Sequence, residues 1–140
     1  MTQEDKQLLL KDLCARLPYG VICNANGINL DGELLFINKV YNLVALYNDK
    51  AVGKFDTCPI ADVKPYLRPM SSMTEEEKSI MDSLWKENNK LVFADPDSIR
   101  RYRFYDISVV DFLNKRHFDY RGLIEKGLAI EVTKENEPYK

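Results

Sequence analysis

The apolar residues change rhythm across residues 59–73. Upstream, short apolar runs are cut by turn dipeptides, and downstream the apolar residues recur at helical spacing. Strands first and helices second is the order of an α+β fold, because a doubly wound parallel sheet needs the two to alternate.

Residues 3–16 read as an amphipathic helix. Thr2 supplies a cap, Glu4 and Asp5 suit the positive end of the helix dipole, and Leu9, Leu10, Leu13, Cys14 and Leu17 recur at steps of three and four before Pro18 and Gly20 end the pattern. Asn26-Gly27, Asp31-Gly32 and Asn48-Asp49 then punctuate the runs 21–25, 33–38, 40–47 and 51–55, which is hairpin chemistry. In the third run Tyr41, Leu43, Ala45 and Tyr47 alternate with Val40, Asn42, Val44 and Leu46. Both of its faces are apolar, which places it centrally in a small antiparallel meander with one face on the core. SH3-like barrels are curled sheets of this kind, and the pattern leaves barrel and open sheet both available. Residues 62–69 hold Pro65 and Pro69 and read as an extended or tightly turned connector.

Thr74-Glu75-Glu76-Glu77 is a capping box for a helix over 74–88 that turns Ile80, Met81, Leu84 and Trp85 inward. Asp95-Pro96 marks a second start, and Asp106 caps a helix reaching Arg116 that buries Ile107, Val110 and Leu113. A short turn over 122–126 closed by Gly127 leads to a last strand through Leu128, Ile130 and Val132, and residues 134–140 read as a flexible tail. Residues 1–133 are thus expected to form one α+β domain whose rear helices cover the sheet to make a single hydrophobic interior.

The 140 residues are 45% apolar and 30% charged, the balance of a globular domain able to fold without metal or disulfide staples. Cys14, Cys23 and Cys58 are odd in number and lack paired short spacings, so neither a disulfide framework nor a zinc site is expected, and no cofactor is implied. A signal peptide and a membrane span are not apparent, and the expected location is the cytoplasm.

Net charge is −2 and evenly spread, so nucleic acid or lipid would have to be recruited by a local cluster. Such a cluster lies between residues 100 and 121, where Arg100, Arg101, Arg103, Lys115, Arg116 and Arg121 outnumber Asp106, Asp111 and Asp119. Interleaved with Tyr102, His117 and Tyr120, it has the composition of a face that pairs with phosphates and stacks on bases. The bland counterpart is aromatic core with an arginine rim. Lys64, Tyr66 and Arg68 extend the candidate surface. His117 is the sole histidine, placed to cap a helix terminus as an imidazolium with Asp111 or Asp119 to orient it. Aspartates 95, 97, 106, 111 and 119 would need to converge to form a nuclease centre, and no phosphate-loop or nucleophile-elbow spacing is present.

Leu17-Pro18-Tyr19-Gly20-Val21, the stretch from Val63 through Glu77, and Asp111-Phe112-Leu113-Asn114-Lys115 with Asp119-Tyr120-Arg121-Gly122-Leu123-Ile124 resemble a family of small uncharacterised proteins from gut bacteria and their prophages. The resemblance implies a prophage- or mobile-element-associated accessory protein. The expectation is therefore a non-enzymatic protein that binds another protein, with nucleic-acid binding through 100–121 as the alternative. Oligomeric state is left open.

Overall fold

The computed structural model describes residues 1–92 and 107–139. Helix α1 spans Gln3–Arg16. Thr2 accepts from the Asp5 amide and the Asp5 carboxylate accepts from the Thr2 amide, a reciprocal cap that satisfies two otherwise orphaned donors. Strands β1 (Ile22–Ala25), β2 (Leu30–Asn38), β3 (Leu43–Tyr47) and β4 (Phe55–Pro59) form the expected antiparallel meander. The sheet continues with β5 (Val63–Leu67), antiparallel to β1, and β6 (Ile130–Glu131), parallel to β5. Among the described residues the order β4-β3-β2-β1-β5-β6 leaves β4 and β6 at the two edges, so the sheet is open and no barrel closes.

Several strands differ from the sequence reading: β2 begins at Leu30 and takes in Asp31-Gly32, expected as a turn, and β3 begins at Leu43, with Val40 and Tyr41 exposed in the turn before it. The fourth run, expected over 51–55, is a turn in which Val52 stands fully exposed, and the strand begins at Phe55. The expected connector over 62–69 contains β5 with Pro65 inside it. Asn26 N donates to Asp62 O, which with the register Asn24↔Lys64 makes the even-numbered β5 residues the hydrogen-bonding partners of β1. Pro65 therefore turns its nitrogen away from β1, at a level before β6 begins, where no donor is required.

The α1 stripe packs on one face of the sheet. Leu9, Leu13, Val21, Cys23, Ala25, Leu34, Val44, Leu46, Val63 and Leu67 form its main core with Leu123 and Leu128. Helix α2 spans Glu75–Val92 and α3 spans Ile107–Lys115. The Thr74 box forms as expected, with Glu77 N to Thr74 Oγ1 and Thr74 N to Glu77 Oε1 both at 3.1 Å. The α2 helix runs past the expected stop at Asn88-Asn89. The Trp85 side chain, Asp95-Pro96 and Asp106 lie outside the described residues.

These helices do not add to the sheet core as expected. Met73, Phe112, Leu113 and Phe118 make a second buried cluster against Ile80, Met81 and Leu84. Along α3 the buried set is Phe112, Leu113 and Asn114, while Ile107 is exposed. Residues 134–139, expected to be a loose tail, return to the sheet. Tyr139 Oη donates to Tyr66 O at 2.6 Å and accepts from Ile22 N at 3.2 Å.

Candidate functional site

The two apolar clusters meet across a layer of arginines. Leu9, Asp12, Leu13 and Arg16 share the buried face of α1, and Asp12 and Arg16 are both fully buried. Arg16 Nε donates to Asp12 Oδ2 at 2.7 Å and Arg16 Nη2 donates to Phe118 O at 2.6 Å. Arg121 Nη1 reaches the other Asp12 oxygen at 3.0 Å and the Tyr120 hydroxyl at 2.9 Å, and that hydroxyl donates to Asn114 Oδ1. Arg68 sits over the Phe118 ring and clasps Glu77 with both terminal nitrogens, at 2.8 and 2.7 Å. Arg116 adds a longer contact to the same carboxylate at 3.6 Å. The Arg68 hydrogen bonds, with the Thr74 cap in support, hold the Glu77 carboxyl down at about 2.

Among the described residues, the surface expected to present cations is turned inward only in part, at Arg68 and Arg121, while Arg116 is exposed. Arg68, Arg116 and Arg121 are paired, and Tyr66 is buried with its hydroxyl donating to Asp31. Burial, with that bond in second place, pushes Tyr66 up to about 12. Tyr120 is half-buried beneath Arg16 and Arg121. Lys64 and Lys115 are exposed on β5 and at the end of α3. Arg100, Arg101, Tyr102, Arg103, Asp95 and Asp97 lie outside the described residues.

His117 closes α3 through its main chain, with His117 N on Asn114 O and Phe118 N on Leu113 O, and not as the expected imidazolium. It follows α3 with a left-handed backbone, φ +64°, and its ring stacks on Tyr139 at 3.7 Å between centroids. Burial, then the neighbouring Arg16 and Arg68 cations, lowers its pKa to about 4, so the ring is neutral rather than an imidazolium. Neither expected orienter engages it: Asp111 accepts from the Tyr19 hydroxyl, and Asp119 caps the amides of Leu123 and Ile124. Burial also pushes the Cys23 and Cys58 thiols up, away from the thiolate form. Among the described residues no three metal-ligating side chains are grouped to hold an ion, and no helix is long and apolar enough to cross a membrane.

A different surface stands out at the other end of the sheet. In β2–β3–β4 the side chains alternate. Val44, Leu46 and Cys58 enter the core, while Phe36, Tyr47, Phe55, Thr57 and Pro59 lie on the outer face. Phe36, Tyr47 and Phe55 are 43, 46 and 37% exposed, and the Phe36 and Phe55 rings meet edge to face at 5.2 Å. A bulge between Leu34 and Phe36 re-aims β2 and leaves Leu35 exposed as well. Gly32 lets β2 pass close to β3, since a Cβ there would lie 2.4 Å from Tyr47 O. Beside Tyr47, a cleft of about 510 Å³ runs along Asp31, Glu33 and Asp49. The aromatic signal was present in the sequence as the alternation of Phe36 and of Tyr47 with their neighbours. It was masked because apolar residues on both faces of a run also describe a central strand covered on both sides.

Compared with protein-family models, with curated proteins and with solved structures, the chain matches none.

Proposed function

We propose that this chain is a non-enzymatic accessory protein that acts by binding another protein, in a prophage or mobile-element setting, through the outer face of β2–β3–β4. The observation that carries the reading is the Phe36–Tyr47–Phe55 patch beside an open strand edge, because contiguous exposed aromatic surface on a soluble domain marks a recognition face. The contrast with the ionisable groups supports it. Asp12, Arg16, Arg68, Glu77 and Arg121 are engaged with one another, and the His117 ring is packed neutral against Tyr139. Nucleic-acid binding draws less support, since Arg68, Arg116 and Arg121 already neutralise carboxylates.

The test is affinity capture from a lysate of the native host with the wild type and a Phe36→Ser/Phe55→Ser variant as baits, read by mass spectrometry. Proteins held by the first and lost by the second are the expected outcome. An identical set on both baits refutes the reading. Co-purifying nucleic acid whose retention falls steeply with salt would replace it by the alternative.

A further inference from the structure

The geometry points to a second copy of this chain as a partner, joined edge to edge through β4. This deepens the proposed protein-binding reading and rests on it.

The edge has a definite pattern of donors and acceptors. Asn48 N donates to Lys54 O and Ile60 N donates to Asn42 O, each at 2.9 Å, at the two ends of the β3–β4 ladder. With Val44↔Cys58 and Leu46↔Asp56 in register between them, the even-numbered residues of β4 turn their main-chain groups to β3. Phe55, Thr57 and Pro59 therefore turn theirs outward. No described donor or acceptor reaches those groups. The open edge offers two N–H groups, on Phe55 and Thr57, and three carbonyls, because Pro59 has no N–H.

A two-fold axis through Thr57 pairs this edge with itself. Thr57 faces Thr57 of the second copy and exchanges both bonds with it, and Phe55 N–H meets the Pro59 carbonyl in each direction. Every outward donor then has an acceptor, and the N–H that proline lacks is missing only at the ends of the seam. The charges also agree with this register. Asp56, the strand's one ionisable side chain besides Cys58, faces Cys58 of the second copy and not another carboxylate, and its own Oδ2 already accepts from Asn48. Lys54, the residue that would guard such an edge, is folded back with its ammonium on Asp49 O. On the outer face the axis places Phe55 beside Pro59 of the second copy, so the two aromatic patches become one.

The other edge of the sheet shows what protection looks like. There β6 has two residues, and the carbonyl of Glu131 accepts from the Asn136 side chain. The β4 edge is longer and bare among the described residues. Its seam of five residues with three half-exposed rings a side is small beside a standard interface, so a weak, concentration-dependent dimer is expected.

The experiment is sedimentation velocity of the whole chain across roughly 1–200 μM, with crosslinking of cysteine variants in a Cys14→Ser background, since Cys14 is exposed. Dimer is expected to form with rising concentration. Thr57→Pro, which deletes the outward N–H and leaves the β3 ladder intact, weakens it about tenfold or more. Thr57→Cys is expected to crosslink under mild oxidation, because residues on the axis lie at about 5.5 Å between Cα atoms, within disulfide reach. Val52→Cys, also exposed but off the axis, is not. A chain that stays monomeric throughout, or a Thr57→Cys protein that crosslinks no faster than Val52→Cys, overturns the proposal. If the monomeric protein still captures a partner that Phe36→Ser/Phe55→Ser loses, the second copy is wrong and the protein-binding reading survives. If neither occurs, both fall.

Discussion

The two ends of the sheet use aromatic and charged residues in opposite ways. Around β5, β6 and the 117–124 segment, arginines are drawn inside and fastened to carboxylates, carbonyls and rings, so that sixteen residues of N-terminal sequence are tied to positions about a hundred residues away. Around β3 and β4 the described side-chain hydrogen bonds stay local, such as Asn48 accepting from Lys50 N and donating to Asp56, and the rings are left at the surface. The difference teaches that a basic, aromatic composition marks structure when the arginines have internal anions within reach. The recognition surface we propose is where aromatic residues are left exposed among the described residues.

The contrast is broken most directly at Arg16. Arg16→Met leaves the Phe118 carbonyl and one side of Asp12 buried without a partner, and an unfolding titration in urea should show a loss of about 3–5 kcal/mol. The double variant Asp12→Leu/Arg16→Met should lose less than the two single losses added together, because the pair acts as one unit. A loss under about 1 kcal/mol would mean that the arginine layer is not what joins the two halves.

Gly32→Ala comes next. Its added methyl would meet Tyr47 O at 2.4 Å, a backbone atom with little room to move, and a destabilisation of about 1–3 kcal/mol in the same titration is expected. An unchanged midpoint would show that β2 and β3 can separate there.

His117 sharpens the comparison through pH. Its folded pKa of about 4 lies below the ordinary 6.5, so the unfolded chain binds the proton first. Stability is then full above pH 6.5 and falls as the pH drops from 6.5 toward 4. Glu77, with a folded value of about 2 against 4.5, takes over below pH 4.5, where the stability it contributes is lost as the pH falls toward 2. His117→Asn keeps a residue tolerant of positive φ and should flatten the upper window alone, by roughly 1–2 kcal/mol in thermal or urea unfolding at pH 4.5 against pH 7. A slope that persists in the variant assigns the titration elsewhere.

The smallest effect on stability should come from Phe55→Ser on the open face, about 1 kcal/mol or less, since the ring is 37% exposed and edge-packed on one neighbour. Its effect on binding should be the largest of the four. A variant that unfolds readily while still capturing partners would reverse the roles assigned to the two regions.

What was legible in the sequence was local. The Thr2 cap and the Thr74 box form within three residues, and the Leu stripe of α1 and the β1–β3 meander follow from periodicity and turn residues. The start of β4 was misread because 51–55 is apolar enough for a strand, whereas Asn48 and the positive φ of Lys54 make it a turn. Asp12 and Arg16 carried a signal that could have been used: an i, i+4 ion pair on the Leu9–Leu13 face is on the wrong side of an amphipathic helix unless a partner waits inside. That Arg121 and Phe118 are the partners is set by tertiary placement, which no local pattern encodes. His117 does close α3, through its main chain, but the imidazolium expected of it failed for the same reason, because Tyr139 lies 22 positions away and closes over the ring.

Tyr139 gives the 132–139 segment a further meaning. It bridges Ile22 N and Tyr66 O and so holds the segment after β6 in place, where Asn136 closes on the Glu131 carbonyl and finishes that margin of the sheet, while the β4 margin is unfinished among the described residues. A sheet that can be lengthened from one flank only reaches a terminus as soon as two copies meet. Growth therefore ends in a discrete pair, where the same molecule with both margins bare would be built to polymerise.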